Sequence, residues 1–511
     1  MKRESSRSEN GLRNIKVSLL VSVITILASF ISRTVFVHHL SAEYLGLNSL
    51  FSNILSYLSL TELGIGSAVS FALYKPIKEG DNNKIRALMS EYQRLYVLVS
   101  AIIFLLGLLI TPFLRSLIKE ENRDIPLLEV YFLIYLLNLT MSLVLYCRRT
   151  IVICNQKEFI LSFISGVFRL IVIAFQIGIL VITGSYIGYL LVMLAFTIIE
   201  GIYVRRMTNR MYGDVFSTKA ERLSIEERKV LKNNIFAIFM HKIGGVLVTS
   251  TDSIVISRFV GLYLGGLYSN YLLIIGAVTG ILRKIFVSIS ASVGNLMAED
   301  DMEHSEKVFY HILFLNCWGC GFVSICFICL IQPFISAWIG TKYLLSDGVL
   351  YLASASFYIS MVRLPMIIFK EASGIFVQDR WKPIIEGAVN LAVSLILVQW
   401  YGISGVIIGT IFSDVAVAMW YEAKVFFRDR FNKGFGRYLA VQMGYLAFNM
   451  SLALLSMGLC HAVTKGSLGD RYILVIFVRL LICLVVPNVV YVLLFHKTER
   501  FRYFWKMLRR R

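Results

Sequence analysis

Proline is scarce in this sequence, seven residues in 511, and charged residues make up only 16% of it. With a mean hydropathy of +0.72, these values leave little room for a soluble domain. No GxxxxGKS/T stretch occurs, so an intrinsic P-loop ATPase is unsupported. The loops expected on the outer side of a membrane are short, the longest running from about Arg115 to Pro126. A polymerase or ligase that holds donor and acceptor in such a loop is hard to build from that. No small-x-small cleavage site follows the first apolar run, so the basic, Ser-rich head Met1 to Lys16 reads as leading into an uncleaved first span.

Cysteine usage suits a reduced protein. Cys317, Cys320, Cys326 and Cys329 form two CxxC pairs, a spacing that in a soluble loop suggests zinc. Within one helix, at about 100° per residue, they spread over separate faces and cannot close a tetrahedron. They read as small packing residues, with no metal and no cofactor expected.

What the chain has in abundance is apolar runs of membrane-spanning length. Val17 to Val37, Leu95 to Leu114, Leu127 to Cys147 and Phe159 to Ile182 are each close to the ~20 residues that cross ~30 Å of hydrocarbon as a helix. The expected architecture is an all-α polytopic membrane protein of about 14 transmembrane helices, the first at 17–38 and the last at 472–495. The formal net charge of +19 would suggest nucleic acid in a soluble protein. Here most of the 51 Lys and Arg fall in the two tails and alternate loops, which is the positive-inside pattern. Both termini are therefore expected in the cytoplasm, with the basic clusters against an anionic leaflet, and nucleic acid is set aside.

Sliding the chain along itself by about 220 residues brings Val35, Leu40, Gly46, Leu47 and Ser49 onto Val255, Val260, Gly266, Leu267 and Ser269. At 221, Ile110-Thr111-Pro112-Phe113-Leu114 meets Ile331-Gln332-Pro333-Phe334-Ile335. The expected organisation is an N-tail (1–16), a six-helix lobe (17–204), a basic linker (205–234), a second, parallel six-helix lobe (235–425), two appended helices (438–495) and a basic C-tail (496–511).

Helical spacing places Ser22, Thr25, Ser29, Ser32 and Arg33 on one face of the first span. The repeat offset carries them onto Lys242, Gly245, Thr249, Asp252 and Ser253 of the seventh. The second span adds Asn48, Ser52, Ser56, Ser59 and Glu62. Hydrocarbon cannot satisfy such groups, so the stripes are expected to line a hydrated cavity between the lobes, although Ser, Thr and Gly also serve as helix–helix packing. Arg169 and Asp414 lie near the middles of the fifth and twelfth spans, as cavity groups or a structural pair. Arg363 lies nearer the cytoplasmic end of its span. Glu200, Arg258, Glu386 and Glu422 sit near expected interfaces and read as anchors or solvated groups.

The runs Thr61-Glu62-Leu63-Gly64-Ile65-Gly66-Ser67-Ala68 and Leu73-Tyr74-Lys75-Pro76, with His241 to Gly244, Thr251 to Ser257 and Gly266-Leu267-Tyr268-Ser269-Asn270-Tyr271, resemble the Wzx-type polysaccharide flippases. These belong to the multidrug/oligosaccharidyl-lipid/polysaccharide exporter superfamily. The resemblance implies a multi-pass bacterial plasma-membrane protein that turns over an undecaprenyl-pyrophosphate-linked oligosaccharide by alternating access. It implies a lipid-linked glycan substrate, contact with membrane lipids, and a polysaccharide polymerase and glycosyltransferases as candidate partners. A lipid tail held by the two appended helices, as in the related lipid II flippases, is a further implication. For an anionic, hydroxylated head group the candidate ligands are Arg33, Arg169, Lys242, Asp252, Ser29, Thr249, Ser52, Ser59 and Arg363. Glu62, Asp252 and Asp414 are the candidate acceptors of a coupling ion. A cation-coupled drug exporter or a lipid II flippase of the same superfamily is the alternative, and an acidic or aromatic cavity would favour the exporter.

Overall fold

The computed structural model describes residues 7–59, 65–119, 125–216, 223–298, 301–375, 378, 381–464 and 472–509. For 7–12, 15, 67, 234, 236–250, 287, 288, 291, 298, 504 and 506–509 it describes the backbone only. The chain divides into two compact units, Met1–Tyr263 and Leu264–Arg511.

The first unit holds α1 (Arg7–His39), α2 (Ala42–Leu58), α3 (Ile65–Glu79), α4 (Asn82–Ile110), α5 (Leu128–Tyr146), α6 (Arg149–Cys154), α7 (Glu158–Thr183), α8 (Tyr186–Met211), α9 (Gly213–Phe216) and α10 (Ile225–Phe259). Capping side chains mark several starts: Asp81 accepts from the Lys84 amide, and Ser224 and Glu227 form a reciprocal capping box on α10. The helices pack as α1 on α7, α4 on α5 and α5 on α8. Small residues set these approaches. A Cβ on Gly166 would meet Val21 at 2.5 Å, and one on Gly201 would meet Leu145 at 2.5 Å.

From α11 (Leu262–Ser288) onward come α12 (Ser290–Ala298), α13 (Met302–Trp338), α14 (Asp347–Val362), α15 (Leu364–Ala372), α16 (Lys382–Tyr401), α17 (Ile403–Ser413), α18 (Trp420–Phe431), α19 (Gly436–Thr464), α20 (Tyr472–Phe495) and α21 (Glu499–Arg509). The long α13 packs against α14, α19 and α20, so the appended pair has a fixed seat. Gly402 alone separates α16 from α17, at φ 54° and ψ −131°, backbone that favours glycine. The hairpin then closes so tightly that a Cβ on Gly405 would lie 2.3 Å from the Leu397 carbonyl oxygen.

Twelve helical segments among the described residues are long and apolar enough to cross a membrane. The other two expected spans fall on α2–α3, which the undescribed 60–64 interrupts, and on α10. The repeat-based division starts its second lobe at 235, whereas the packing boundary falls after Tyr263 because α10 lies on α2 and α3. One is a boundary of repetition and the other of contact. The matched proline motifs also differ in outcome. Pro112 opens a 3-10 turn, Thr111–Leu117, directly after α4, while Pro333 is carried inside α13.

Candidate functional site

At one end of the first unit, the C-terminal end of α1 meets the N-terminal ends of α2, α5 and α8. Asn48 of α2 accepts hydrogen bonds through Oδ1 from the hydroxyls of both Tyr135 and Tyr186. Tyr186 packs on Tyr44 and Tyr131, with ring centroids 4.6 and 4.8 Å away, and Phe36 meets Tyr189 at 5.3 Å. Arg33 faces Tyr135 and Tyr189. Tyr189 in turn lies beside Ser32 and neighbours both Arg33 and Arg169. Two guanidiniums from α1 and α7 thus converge on a wall of tyrosines. Arg169 is exposed and makes no ion pair among the described residues.

The remaining stripe residues are placed less suggestively. Ser22, Thr25 and Ser29 donate to carbonyls of their own helix, those of Ser18, Val21 and Thr25, which satisfies a hydroxyl in hydrocarbon without any ligand. Ser59 donates to the Ser56 carbonyl at 2.9 Å, and Ser52 is exposed. Asp252 lies beside Tyr57 and Thr251, and along the same seam the hydroxyls of Ser49 and Ser253 are 3.0 Å apart. Glu62 and the side chains of Lys242 and Thr249 lie outside the described residues.

The second unit has a charged core of opposite design. Arg363, at the break between α14 and α15, donates through Nη2 to Glu422 at 3.0 Å, through Nη1 to Glu386 at 3.3 Å, and through Nη1 to Asp414. Lys382 reaches Glu422 at 2.6 Å and Glu386 at 3.2 Å. Lys370 is buried beside Glu422. Three cations therefore face three carboxylates. Asp414 begins a π-helical turn, Asp414–Met419, between α17 and α18, so two irregular backbone points bring the charges together. Glu386 and Glu422 correct the expectation of solvated anchors, since they are 4% and 1% exposed. The partner of Asp414 is Arg363.

A groove of about 350 Å³ runs along α13, α14 and α19, lined by Ile325, Ile328, Tyr351, Met450, Leu454 and Met457 among others. Its polar floor is already occupied. Asn449 donates to the Tyr358 hydroxyl at 3.2 Å and accepts from the Tyr491 hydroxyl at 3.0 Å. The sequence stripes point to Arg33 and Asn48, whereas no spacing marks the tyrosines, the carboxylates around Arg363 or this groove.

No family model and no curated protein matches the chain. Solved structures do. The lipid II flippase MurJ, in an inward closed conformation, superposes with a TM-score of 0.69 at 14% identity, over 93% of this chain and 98% of that one. An inward-facing multidrug resistance MATE family transporter of the MOP superfamily gives 0.63 at 13%, over 80% and 98%. A MOP superfamily transporter from Pyrococcus furiosus, described for the reverse polarity of its binding pocket, gives 0.53 at 11%, over 83% and 97%. At these identities the likeness establishes the fold. The chain has the fold of MOP superfamily transporters, and these structural neighbours are transporters and flippases, not enzymes.

Proposed function

We propose that this chain, with the fold of the MOP superfamily transporters as premise, turns over an undecaprenyl-pyrophosphate-linked oligosaccharide across a bacterial plasma membrane by alternating access, for surface polysaccharide synthesis. The observation that carries this reading is the cluster of Arg33 beside Tyr135 and Tyr189, with Arg169 beside the same Tyr189. Guanidiniums grip phosphate oxygens bidentately, and aromatic faces accept the apolar faces of sugar rings. The apolar groove on α13, α14 and α19 suits an isoprenoid tail. The share of this chain matched by the flippase, 93%, exceeds the 80% matched by the exporter.

A cation-coupled drug exporter is favoured by the aromatic character of the same cluster, but it would need an acidic group there. The described neighbours of Arg33 include the phenols of Tyr135 and Tyr189. Asp252 and Asp414 are the two described candidates for a coupling acceptor, and Arg363 holds Asp414. Candidate partners are a polysaccharide polymerase and glycosyltransferases.

The test is depletion of the protein in cells that still make the glycan. Single lipid-linked repeat units should build up on the cytoplasmic leaflet. Repeat units that reach the outer leaflet but stay unpolymerised would overturn the reading in favour of an enzyme.

A further inference from the structure

Four of the eight cysteines, drawn from α13 and from the consecutive α19 and α20, meet in the second unit. The sulfurs of Cys329 on α13, Cys460 on α19 and Cys483 on α20 all lie within 4.8 Å of one another, and all three residues are buried. Cys326, one turn before Cys329, is within hydrogen-bonding reach of Cys483. We propose that Cys329, Cys460 and Cys483, with Cys326 at the fourth corner, hold a thiophilic d10 cation, Zn²⁺ or Cu⁺, that clamps the appended helices α19 and α20 to α13.

Geometry allows it. Zinc–thiolate bonds of about 2.3 Å put the sulfurs of a tetrahedral site about 3.8 Å apart, so the spacing of the Cys329, Cys460 and Cys483 sulfurs closes by at most about 1 Å, within side-chain rotation. The donor set is soft, which selects Zn²⁺ or Cu⁺ over Mg²⁺ or Ca²⁺. Binding releases the thiol protons to solvent and changes no oxidation state.

Charge is partly offset. Four thiolates carry two net negative charges around Zn²⁺ and three around Cu⁺, which is costly in hydrocarbon. Arg479 of α20 stands next to Cys460 and donates to the Cys329 carbonyl at 3.2 Å and the Thr464 hydroxyl at 3.0 Å. Its Nε is buried without a hydrogen-bond partner, and no carboxylate pairs with it among the described residues. A guanidinium in a membrane-spanning helix without a counter-ion is unusual, and a thiolate-bound metal supplies one. Ile325 and Ile328, which flank Cys326 and Cys329, line the apolar groove, so occupancy of the site would fix one of its walls.

The experiment uses the full chain, purified in detergent under reducing conditions without chelator, with metals measured by mass spectrometry. About one zinc or copper per chain is expected. It should be kept in Cys317→Ser, which lies outside the cluster, and fall about tenfold in Cys460→Ser and Cys483→Ser. Because those variants can lose helix packing, the wild type gives a second reading. After stripping, Co²⁺ should produce a near-ultraviolet sulfur-to-metal charge-transfer band that Zn²⁺ abolishes. Anaerobic competition against a Cu⁺ chelator then separates copper from zinc. A metal-free wild type with no cobalt band would overturn the site, as would peptide mapping that finds Cys460 and Cys483 disulfide-bonded in isolated membranes. Neither outcome touches the flipping reading, which is measured on lipid intermediates.

Discussion

The two units each set arginine within membrane-spanning helices, but they surround it differently. Arg363 is 6% exposed and meets Glu386, Asp414 and Glu422. Arg33 and Arg169 meet phenol rings and hydroxyls. A guanidinium enclosed by carboxylates is neutralised and has no capacity left for an anionic ligand. Phenols and hydroxyls beside a guanidinium do not neutralise it. The same residue type is thus a structural tie in one unit and a candidate ligand in the other, and the difference lies in the partners.

The largest expected effect comes from breaking the closed network. Glu422→Ala leaves Arg363, Lys382 and Lys370 facing only Glu386 and Asp414 away from water, and breaking a buried pair costs about 3–5 kcal/mol. The protein should be lost from the membrane, or its thermal unfolding in detergent should fall sharply. Arg363→Ala combined with Glu422→Ala should be less harmful than the sum of the two single changes, because the removed charges were coupled. A Glu422→Ala protein of normal stability that no longer transports would erase the contrast between the units.

In the open cluster the expected outcome is reversed. Arg33→Ala and Arg169→Ala should abolish flipping while membrane level and unfolding temperature stay normal. Arg33→Lys keeps the charge but loses the planar fork, and partial activity is expected. Full activity of Arg33→Lys would mean that position 33 needs only a cation. Since Asp414 is engaged by Arg363, Asp414→Asn should not alter the behaviour of Arg169→Ala.

Periodicity makes part of this legible. Arg33 and Asn48 stand on polar stripes because a helix repeats every 3.6 residues, and the pattern survives any shift in helix ends. The same stripes overstate Ser22, Thr25 and Ser29, whose hydroxyls turn back onto their own helix. Glu386 and Glu422 escape the pattern because closeness to a helix end is not closeness to water. A helix break at Arg363 and a π-turn at Asp414 fold those ends inward, and neither leaves a spacing signature. The cysteines show the limit most plainly. Spacing confines the two CxxC pairs to one helix, whereas Cys329 finds Cys460 and Cys483 on two other helices, and no sequence period links helices that meet only in the folded bundle.

The smallest expected effect sharpens the comparison from inside the first unit. Along the α2–α10 seam, Ser49 and Ser253 share one hydrogen bond of 3.0 Å, next to a close approach in which a Cβ on Gly46 would lie 2.2 Å from the Leu262 carbonyl oxygen. Polar contacts between membrane helices average about 0.6 kcal/mol, so Ser253→Ala should shift the unfolding temperature by little and leave flipping intact. Gly46→Ala has no such freedom, because its obstacle is backbone and cannot rotate aside; it should destabilise the protein clearly more than Ser253→Ala does. If the order is reversed, with Ser253→Ala the more harmful, the hydroxyl pair carries more than packing. Functional weight would then move from Arg33 and Arg169 to this seam, and the division between a closed charge core and an open one would no longer explain where this chain is sensitive.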